Sequence, residues 1–319
     1  MNIQQPKIGL ALGSGSARGW AHIGVIHELK KLGIKPDIVC GSSIGALVGA
    51  SMACGQLETL EKWLRDLTVS DIIKLVDLSL TGSGLIQGNK LSQAFCDFVD
   101  DVDIETLHPN YGAVATDLDA GREVWFRSGS LLTAVRASIA LPGLFPPVQD
   151  HGRWLVDGGL VNPVPVSMCR AMGADVVIAV NLNSELIGNK ARATSRENRL
   201  ALNLPQNELL QNIANALAPI KERIGNILPA DNKTERPPGM FGAMTASIDI
   251  MQDRITKSRL AGDPPDILIS PHLAHMGLLE FDRSEEAIEE GAAAVERALA
   301  SGGFRMLDTK AETRRNKQK

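Results

Sequence analysis

The stretch KIGLALGSGSARGWAHIGVIHELKKLGIKPDIVCGSSIGALVGASMACG, residues 7–55, repeats one pattern twice. In each copy a short apolar run is followed by a turn of small residues and then by apolar residues at helical spacing. The pattern predicts a strand at 7–12 with a helix at 20–32, and a strand at 37–40 with a helix at 46–54. Two successive strand–turn–helix units indicate a parallel sheet covered by helices.

The rest of the chain continues this alternation. Short apolar runs predict further strands at residues 111–116, 123–127, 154–156, 176–182 and 266–270. Apolar residues three and four apart predict helices at residues 57–67, 89–99, 131–139, 165–172 and 285–300. We therefore predict an α/β fold of three layers, α/β/α, around a mostly parallel central sheet, with a helical C-terminal extension.

Between 184 and 260 the chain becomes more polar, and two amphipathic helices are predicted there, at 209–228 and 241–255. The interpretation we favour is that each helix packs on the core through its apolar face. A lid, a membrane-docking face and a dimer seam are the alternatives.

Composition and charge limit the classes of partner. The formal charge of −4 and the isoelectric point near 5.9 provide no general attraction to nucleic acid or to an anionic membrane. The four cysteines are scattered and form no CxxC pair, which argues against zinc and disulfides and favours a reducing compartment. With no signal peptide and no apolar run of about 20 residues, we expect a cytoplasmic protein. Peripheral contact with the inner membrane face and homo-oligomerisation are left open.

The turn Gly41-Ser42-Ser43-Ile44-Gly45 joins the second predicted strand to its helix. A nucleophilic serine at such a position needs small residues two places before and after it, and Gly41 and Gly45 meet that need. The helix N-terminus would also favour negative charge developing on Ser43. The alternative is a tight turn without reactivity.

The turn after the first predicted strand reads GSGSARG, residues 13–19. Small residues allow backbone N–H groups to converge on one anion, either a phosphate or the oxyanion of a tetrahedral intermediate. A dinucleotide site would need an acidic residue at the end of the second strand, and a P-loop would need a lysine followed by serine or threonine. Both are missing here, so the sequence favours an oxyanion-binding loop.

The third turn, Asp157-Gly158-Gly159, follows the predicted strand at 154–156. A carboxylate at the end of a strand suits a general base, although an Asx turn is the more usual explanation of a lone Asp-Gly pair. We expect all three turns to end parallel strands and therefore to meet at the edge where open α/β sheets place their sites.

Taken together, the GSGSARG loop, the GSSIG turn and the DGG turn resemble the patatin-like phospholipases, as does ASIALPGLFPPV at 137–148. The resemblance implies a serine lipid acyl hydrolase with Ser43 as nucleophile and Asp157 as base. It also implies an oxyanion hole formed by Gly15, Ser16 and Arg18. The glycines expected to shape these turns are Gly13, Gly19, Gly41, Gly45, Gly158 and Gly159.

This chain departs from the family in the first loop, where Ser14 and Ser16 replace two of three consecutive glycines. We expect the hole to survive because serine still donates its backbone N–H. The resemblance divides the chain into a patatin-like catalytic domain at 7–170 and a C-terminal part of the same fold at 171–303. The latter carries the helical insertion at about 184–260, and a basic tail expected to be disordered follows at 304–319.

The expected substrate is a lipid or fatty-acyl ester, with no cofactor and no metal. The acidic cluster Asp97, Asp100, Asp101, Asp103 and Glu105 lacks the glycine and glutamate that an EF-hand loop requires.

Two functional alternatives stay open. The first is an α/β-hydrolase with a Ser–Asp–His triad, using His272 or His275. That fold places its serine after several strands, whereas Ser43 follows the second. The other is an acyltransferase, or a weakly active regulatory protein that keeps the same site.

Overall fold

A computed structural model describes residues 6–68, 71, 89–184 and 240–304 of this chain. A single mixed sheet runs through these residues. Its strands are β1 Ile8–Leu12, β2 Ile38–Ser42, β3 Asn110–Asp117, β4 Arg122–Phe126, β5 Val148–Asp150, β6 Arg153–Asp157, β7 Val176–Val180 and β8 Ile267–Ile269. The order across the sheet is β5-β6-β3-β2-β1-β7-β8, with β4 also paired to β3.

The sheet is parallel on one side and antiparallel on the other. Strands β3, β2, β1, β7 and β8 run parallel to one another. Strands β4 and β6 both run antiparallel to β3, and β5 forms a hairpin with β6. The predicted mostly parallel sheet is confirmed, because four of the seven pairings among the described strands are parallel.

The expectation that the Asp157-Gly158-Gly159 turn ends a parallel strand was wrong. Only the two residues His151 and Gly152 separate β5 from β6, and so short a link forces an antiparallel pair. The three residues of β5 are too few to show alternation in the sequence, so neither the hairpin nor its direction was predicted.

The helices are α1 Ala21–Lys31, α2 Ile44–Ala53, α3 Leu57–Asp66, α4 Asn89–Cys96, α5 Leu131–Ser138, α6 Val166–Ala171, α7 Met240–Gly262 and α8 Ser284–Ala300. Each corresponds to a predicted helix, with ends that differ by a few residues. The main difference is in α7, which continues to Gly262, beyond the predicted end at 255. The amphipathic helix predicted at 209–228 and almost all of the basic tail lie outside the described residues.

The buried strands divide their side chains between two cores, and this creates the layers. Leu10 and Leu12 of β1 pack into the larger core, which includes buried residues of α1, α2 and α8. Ala11, between them, points to the opposite face and packs with Val166 and Cys169 of α6. Because successive side chains on a strand alternate between faces, a wholly apolar strand supports helices on both sides of the sheet.

Helix α7 does not pack in the predicted way. Ile248 is buried, but Met251 of the predicted apolar face is 46% exposed. The side chains that α7 buries next to Ile248 are mainly polar: Asp249, Gln252, Asp253 and Thr256. A helix that buries polar groups needs hydrogen-bonding partners for them, and those partners lie in the loops at the edge of the sheet.

The first and last described helices, α1 and α8, are in close contact through two glycines. A Cβ atom on Gly24 would lie 1.8 Å from the carbonyl oxygen of Ile288, and one on Gly291 would lie 2.0 Å from that of Ala21. These distances exclude any side chain, so backbone packs directly on backbone.

We expect Gly291→Ala to lower the free energy of unfolding by about 1–3 kcal/mol, because the added methyl must push α8 away from α1. Urea denaturation would measure the change. Gly262→Ala is the matched control, since a Cβ there meets nothing within 4 Å and should cause no loss. Equal stability of the two variants would contradict the close packing.

Candidate active site

The backbone at Ser43 adopts a conformation that non-glycine residues rarely occupy. Its φ and ψ are 57° and −128°, at the junction of β2 and α2. A Cβ on Gly41 would lie 2.3 Å from the Cα of Ala46, and one on Gly45 would lie 2.2 Å from the carbonyl oxygen of Leu12. Glycine is therefore required on both sides of Ser43, as predicted for a sharp strand–helix turn.

Hydrogen bonds hold this strained turn in place. The Ser43 N–H donates to the Ser138 hydroxyl at 2.9 Å, and that hydroxyl donates to the carbonyl oxygen of Val114 at 2.6 Å. Ser138 is the last residue of α5, so the turn is attached both to β3 and to a neighbouring helix.

Ser43 and Asp157 meet across strand β3. Ser42 pairs with Val114 on one side of that strand, and Asp157 pairs with Ala115 on the other. This register brings the two side chains to the same level, and the Ser43 hydroxyl donates to Asp157 Oδ2 at 2.5 Å. The structure thus brings together two residues that lie far apart in the sequence.

The carboxyl group of Asp157 is fully buried. Its Oδ1 accepts a hydrogen bond from the Gly159 N–H at 2.7 Å. Burial raises the pKa of Asp157 to about 7, and the hydrogen bonds from Ser43 and Gly159 oppose this rise. A carboxyl group with a pKa near neutrality can both accept and return a proton at neutral pH.

The two glycines after Asp157 are also required by close contacts. A Cβ on Gly158 would lie 2.1 Å from the carbonyl oxygen of Val114. A Cβ on Gly159 would lie 2.6 Å from the Gln252 side-chain nitrogen and 2.9 Å from Asp157 Oδ1. The turn therefore packs directly on β3 and on helix α7.

The loop at 13–19 presents two backbone N–H groups. The N–H groups of Gly13, Ser14, Ala17 and Arg18 each donate to a backbone carbonyl. Those of Gly15 and Ser16 have no acceptor within the part of the chain that the structure describes. Both residues line the same cavity as Ser43. Two free amides beside a serine can stabilise an oxyanion.

The serines that replace the family's glycines attach this loop to other elements. The Ser14 hydroxyl donates to Gln252 Oε1 at 3.1 Å, and the Ser16 hydroxyl donates to the carbonyl oxygen of Leu278 at 2.6 Å. Glycine could make neither bond. The close approaches of Gly13 to Val180 and of Gly19 to Ile44 leave no room for side chains at those two positions.

Arg18 points away from the cavity. It is almost completely buried; its Nε donates to the carbonyl oxygen of Gly15 at 3.1 Å, and its guanidinium pairs with Asp249 of α7 at 3.0 Å. Arg18 is not among the residues that line the cavity. The guanidinium therefore acts on the loop backbone and on α7.

The cavity beside Ser43 is mainly apolar. The apolar side chains that line it come from several helices and loops: Ile44, Phe95, Ile139, Leu141, Leu144, Phe145, Ile248, Leu278 and Phe281. Gln252 is the polar side chain contributed by α7. Such a lining suits a hydrocarbon chain attached to a polar reacting group.

The histidines are engaged elsewhere. His22 is buried and donates through Nε2 to the carbonyl oxygen of Gly13 at 2.8 Å, and burial lowers its pKa to about 4. His27 contacts Glu61, and His275 contacts Glu286. The backbone N–H of His272 donates to the Glu290 carboxylate. Among the hydrogen bonds of the described residues, none joins a histidine to Ser43 or Asp157.

The described ranges contain no group of three or more His, Cys, Asp or Glu side chains placed to hold a metal ion. No helix within them is both long enough and apolar enough to cross a bilayer.

The contribution of α7 to this site was not predicted from the sequence. Asp249 pairs with Arg18, and Gln252 contacts Ser14 and Asn183. A signal was available, because Asp249, Gln252, Asp253 and Thr256 form a polar stripe at helical spacing beside the apolar one.

This chain is similar to known proteins over most of its length. A model of the patatin-like phospholipase family matches residues 10–170. An uncharacterised NTE family protein of Mycobacterium tuberculosis is 36% identical over 92% of this chain and 91% of its own length. The rat patatin-like phospholipase domain-containing protein 7 is 37% identical over 56% of this chain, which is 14% of that protein. The Drosophila neuropathy target esterase sws is 36% identical over 56% of this chain and 13% of its own length.

We expect Asp157→Asn to stabilise the protein at pH 8, because the amide keeps the buried shape without the charge. With a pKa of 3.8 in the unfolded chain and about 7 in the folded one, the wild type loses stability as pH rises from 4 to 7. The full difference, about 4 kcal/mol by the size of the shift, is present above pH 7.

Thermal melts of both proteins at half-unit steps from pH 4 to 8 would measure this difference. Asp119→Asn, in an exposed turn, serves as the control and should show no such trend. A constant gap between Asp157→Asn and the wild type across the range would disprove the assigned pKa.

Proposed function

Because this chain belongs to the patatin-like phospholipase family, we propose that it is a lipid hydrolase that cleaves carboxylic esters through a Ser43–Asp157 dyad. The observation that carries the proposal is the 2.5 Å hydrogen bond from Ser43 to the buried Asp157. Two amides that have no acceptor among the residues the structure describes, and an apolar cavity, adjoin this pair, which supports an acyl substrate.

In the first step Ser43 Oγ attacks the ester carbonyl carbon as its proton moves to Asp157 Oδ2. The negative charge that develops on the carbonyl oxygen is stabilised by the N–H groups of Gly15 and Ser16. When the intermediate collapses, the carbon–oxygen bond to the alcohol breaks and Asp157 returns its proton to the departing oxygen. The acyl group remains on Ser43.

In the second step Asp157 removes a proton from a water molecule, which attacks the acyl carbonyl carbon. The second tetrahedral intermediate uses the same two amides. It collapses with release of the fatty acid, and the proton on Asp157 returns to Ser43 Oγ. No histidine is needed, because burial gives Asp157 a pKa close to that of a typical histidine.

Arg18 serves this reaction indirectly in our proposal. Its Nε–H holds the carbonyl oxygen of Gly15. Because the peptide bond is planar and trans, the next N–H, that of Ser16, points in the opposite direction from that oxygen. His22 also holds the loop backbone, because its Nε2–H donates to the carbonyl oxygen of Gly13.

We propose the cytoplasm as the compartment. Cys40, Cys54 and Cys169 are free thiols, and Cys40 and Cys169 are buried, which supports a reducing environment.

We expect Ser43→Ala and Asp157→Ala each to reduce nitrophenyl ester hydrolysis at least about 1,000-fold, as loss of a nucleophile or its base does in other serine hydrolases. A fluorophosphonate probe should label the wild type at Ser43, as mapped by peptide mass spectrometry. His272→Ala and His275→Ala are matched controls that should keep full activity. Loss of activity in a histidine variant with retention in Asp157→Ala would favour the triad instead.

The pH dependence of kcat/KM should show a single acid limb with a midpoint near 7. Asp157 must be ionised to accept the Ser43 proton, and its folded-state pKa is about 7. Below the midpoint the rate should fall about tenfold per pH unit. Hydrolysis of a nitrophenyl ester in constant-ionic-strength buffers from pH 5 to 9 would test this. A rate that stays flat down to pH 5 would rule out Asp157 as the base.

A further inference from the structure

Gln252 is a buried polar side chain in the apolar cavity beside Ser43. It is 4% exposed, and it comes from α7, outside the residues 10–170 that match the family model. A buried amide that has only part of its hydrogen bonds satisfied is unfavourable unless a ligand completes them.

The orientation of the Gln252 amide is fixed by its neighbours. Asn183 Nδ2 lies 3.3 Å from the carbonyl oxygen of Ser14, which can only accept, so this end of Asn183 must be the donor. The same nitrogen lies 3.3 Å from one terminal atom of the Gln252 amide, and the Ser14 hydroxyl oxygen lies 3.1 Å from that same Gln252 atom. Gln252 must therefore present its oxygen to both donors. The Gln252 nitrogen therefore points away from Ser14 and Asn183.

The Gln252 nitrogen and the Asp157 carboxyl group both border Gly159. A Cβ on Gly159 would be 2.6 Å from Gln252 Nε2 and 2.9 Å from Asp157 Oδ1, so both atoms border the same small space. Glycine at this position keeps the space open. No acceptor for Gln252 Nε2 is found among the described residues.

Gln252 Nε2 and the amides of the oxyanion loop would contact different oxygens of the substrate. The carbonyl oxygen of an ester on Ser43 would face the amides of Gly15 and Ser16. The oxygen that exchanges a proton with Asp157 must instead lie beside the carboxyl group, and Gln252 Nε2 borders the space next to Asp157 Oδ1. In acylation that oxygen belongs to the leaving alcohol, and in deacylation to the attacking water. By microscopic reversibility both occupy the same place.

We propose that Gln252 is a catalytic residue that donates an Nε2 hydrogen bond to this oxygen. The proposal rests on the proposed Ser43–Asp157 mechanism and extends it. The bond positions the leaving alcohol while Asp157 protonates it, and then the water while Asp157 deprotonates it. Ser14 and Asn183 hold the amide in the required orientation, which gives Ser14 a function that a glycine could not supply.

The test is the pre-steady-state hydrolysis of a nitrophenyl acyl ester by Gln252→Met, which keeps the length of the side chain without the donor. Nitrophenolate is a weak base and leaves without assistance, so acylation should change little. Deacylation should slow by roughly 10- to 100-fold, the effect of one hydrogen bond to a group that gains charge. The expected trace is a rapid burst equal to the enzyme concentration, followed by a slow steady rate.

Two further variants sharpen the test. Thr256→Val, one turn further along the same buried face, removes a hydroxyl that has no partner among the described residues and should behave like the wild type. Gln252→Leu, which also removes the donor and adds no charge near Asp157, should reproduce the split between burst and steady rate.

A purely structural role would give a different result. Misfolding reduces the burst amplitude, which counts working sites, and leaves the steady rate per site unchanged. That outcome, a proportional slowing of both phases, or wild-type kinetics in Gln252→Met would overturn the assignment of Gln252. Absence of nitrophenolate release by the wild type, or its persistence in Ser43→Ala, would instead overturn the proposed function.

Discussion

The hydrogen bond between Ser43 and Asp157 depends on the register of three strands. Strand β3 pairs in parallel with β2 and antiparallel with β6, so Ser42 pairs with Val114 and Asp157 with Ala115. A shift of one residue on either side would turn a side chain to the other face of the sheet. The mixed sheet is therefore a condition for the site. A parallel β6 would need its own crossover connection to reach the same position.

Close backbone packing allows this register to produce a buried site. Glycines 41, 45 and 158 each lie against a neighbouring backbone, and the Asp157 carboxyl group beside them is fully buried. Burial raises the pKa of the carboxyl group, and in the proposed mechanism this lets one carboxylate do the work for which a triad uses a histidine. The same packing explains why small residues dominate all three turns.

The sequence was sufficient to predict the parts of the molecule governed by local patterns. The apolar runs of β1 and β2 and the glycines around Ser43 have a direct physical meaning, so the first two units and the layered architecture were predicted. The direction of β6 was not predictable, because it depends on a three-residue strand. The orientation of Arg18 was also hidden, because its partner Asp249 lies far along the chain, on a helix whose apolar stripe suggested a different packing face. Contacts made by polar residues between distant segments leave little trace in local periodicity.

The contact between α1 and α8 has a consequence for how the protein is made. Helix α1 belongs to the first strand–turn–helix unit described, yet its partner α8 is translated well after it. Until α8 emerges, one face of α1 stays uncovered, so the GSGSARG loop that precedes it lacks its final support. The proposed catalytic centre is then completed only after α8 has been translated, long after the turn that carries Ser43.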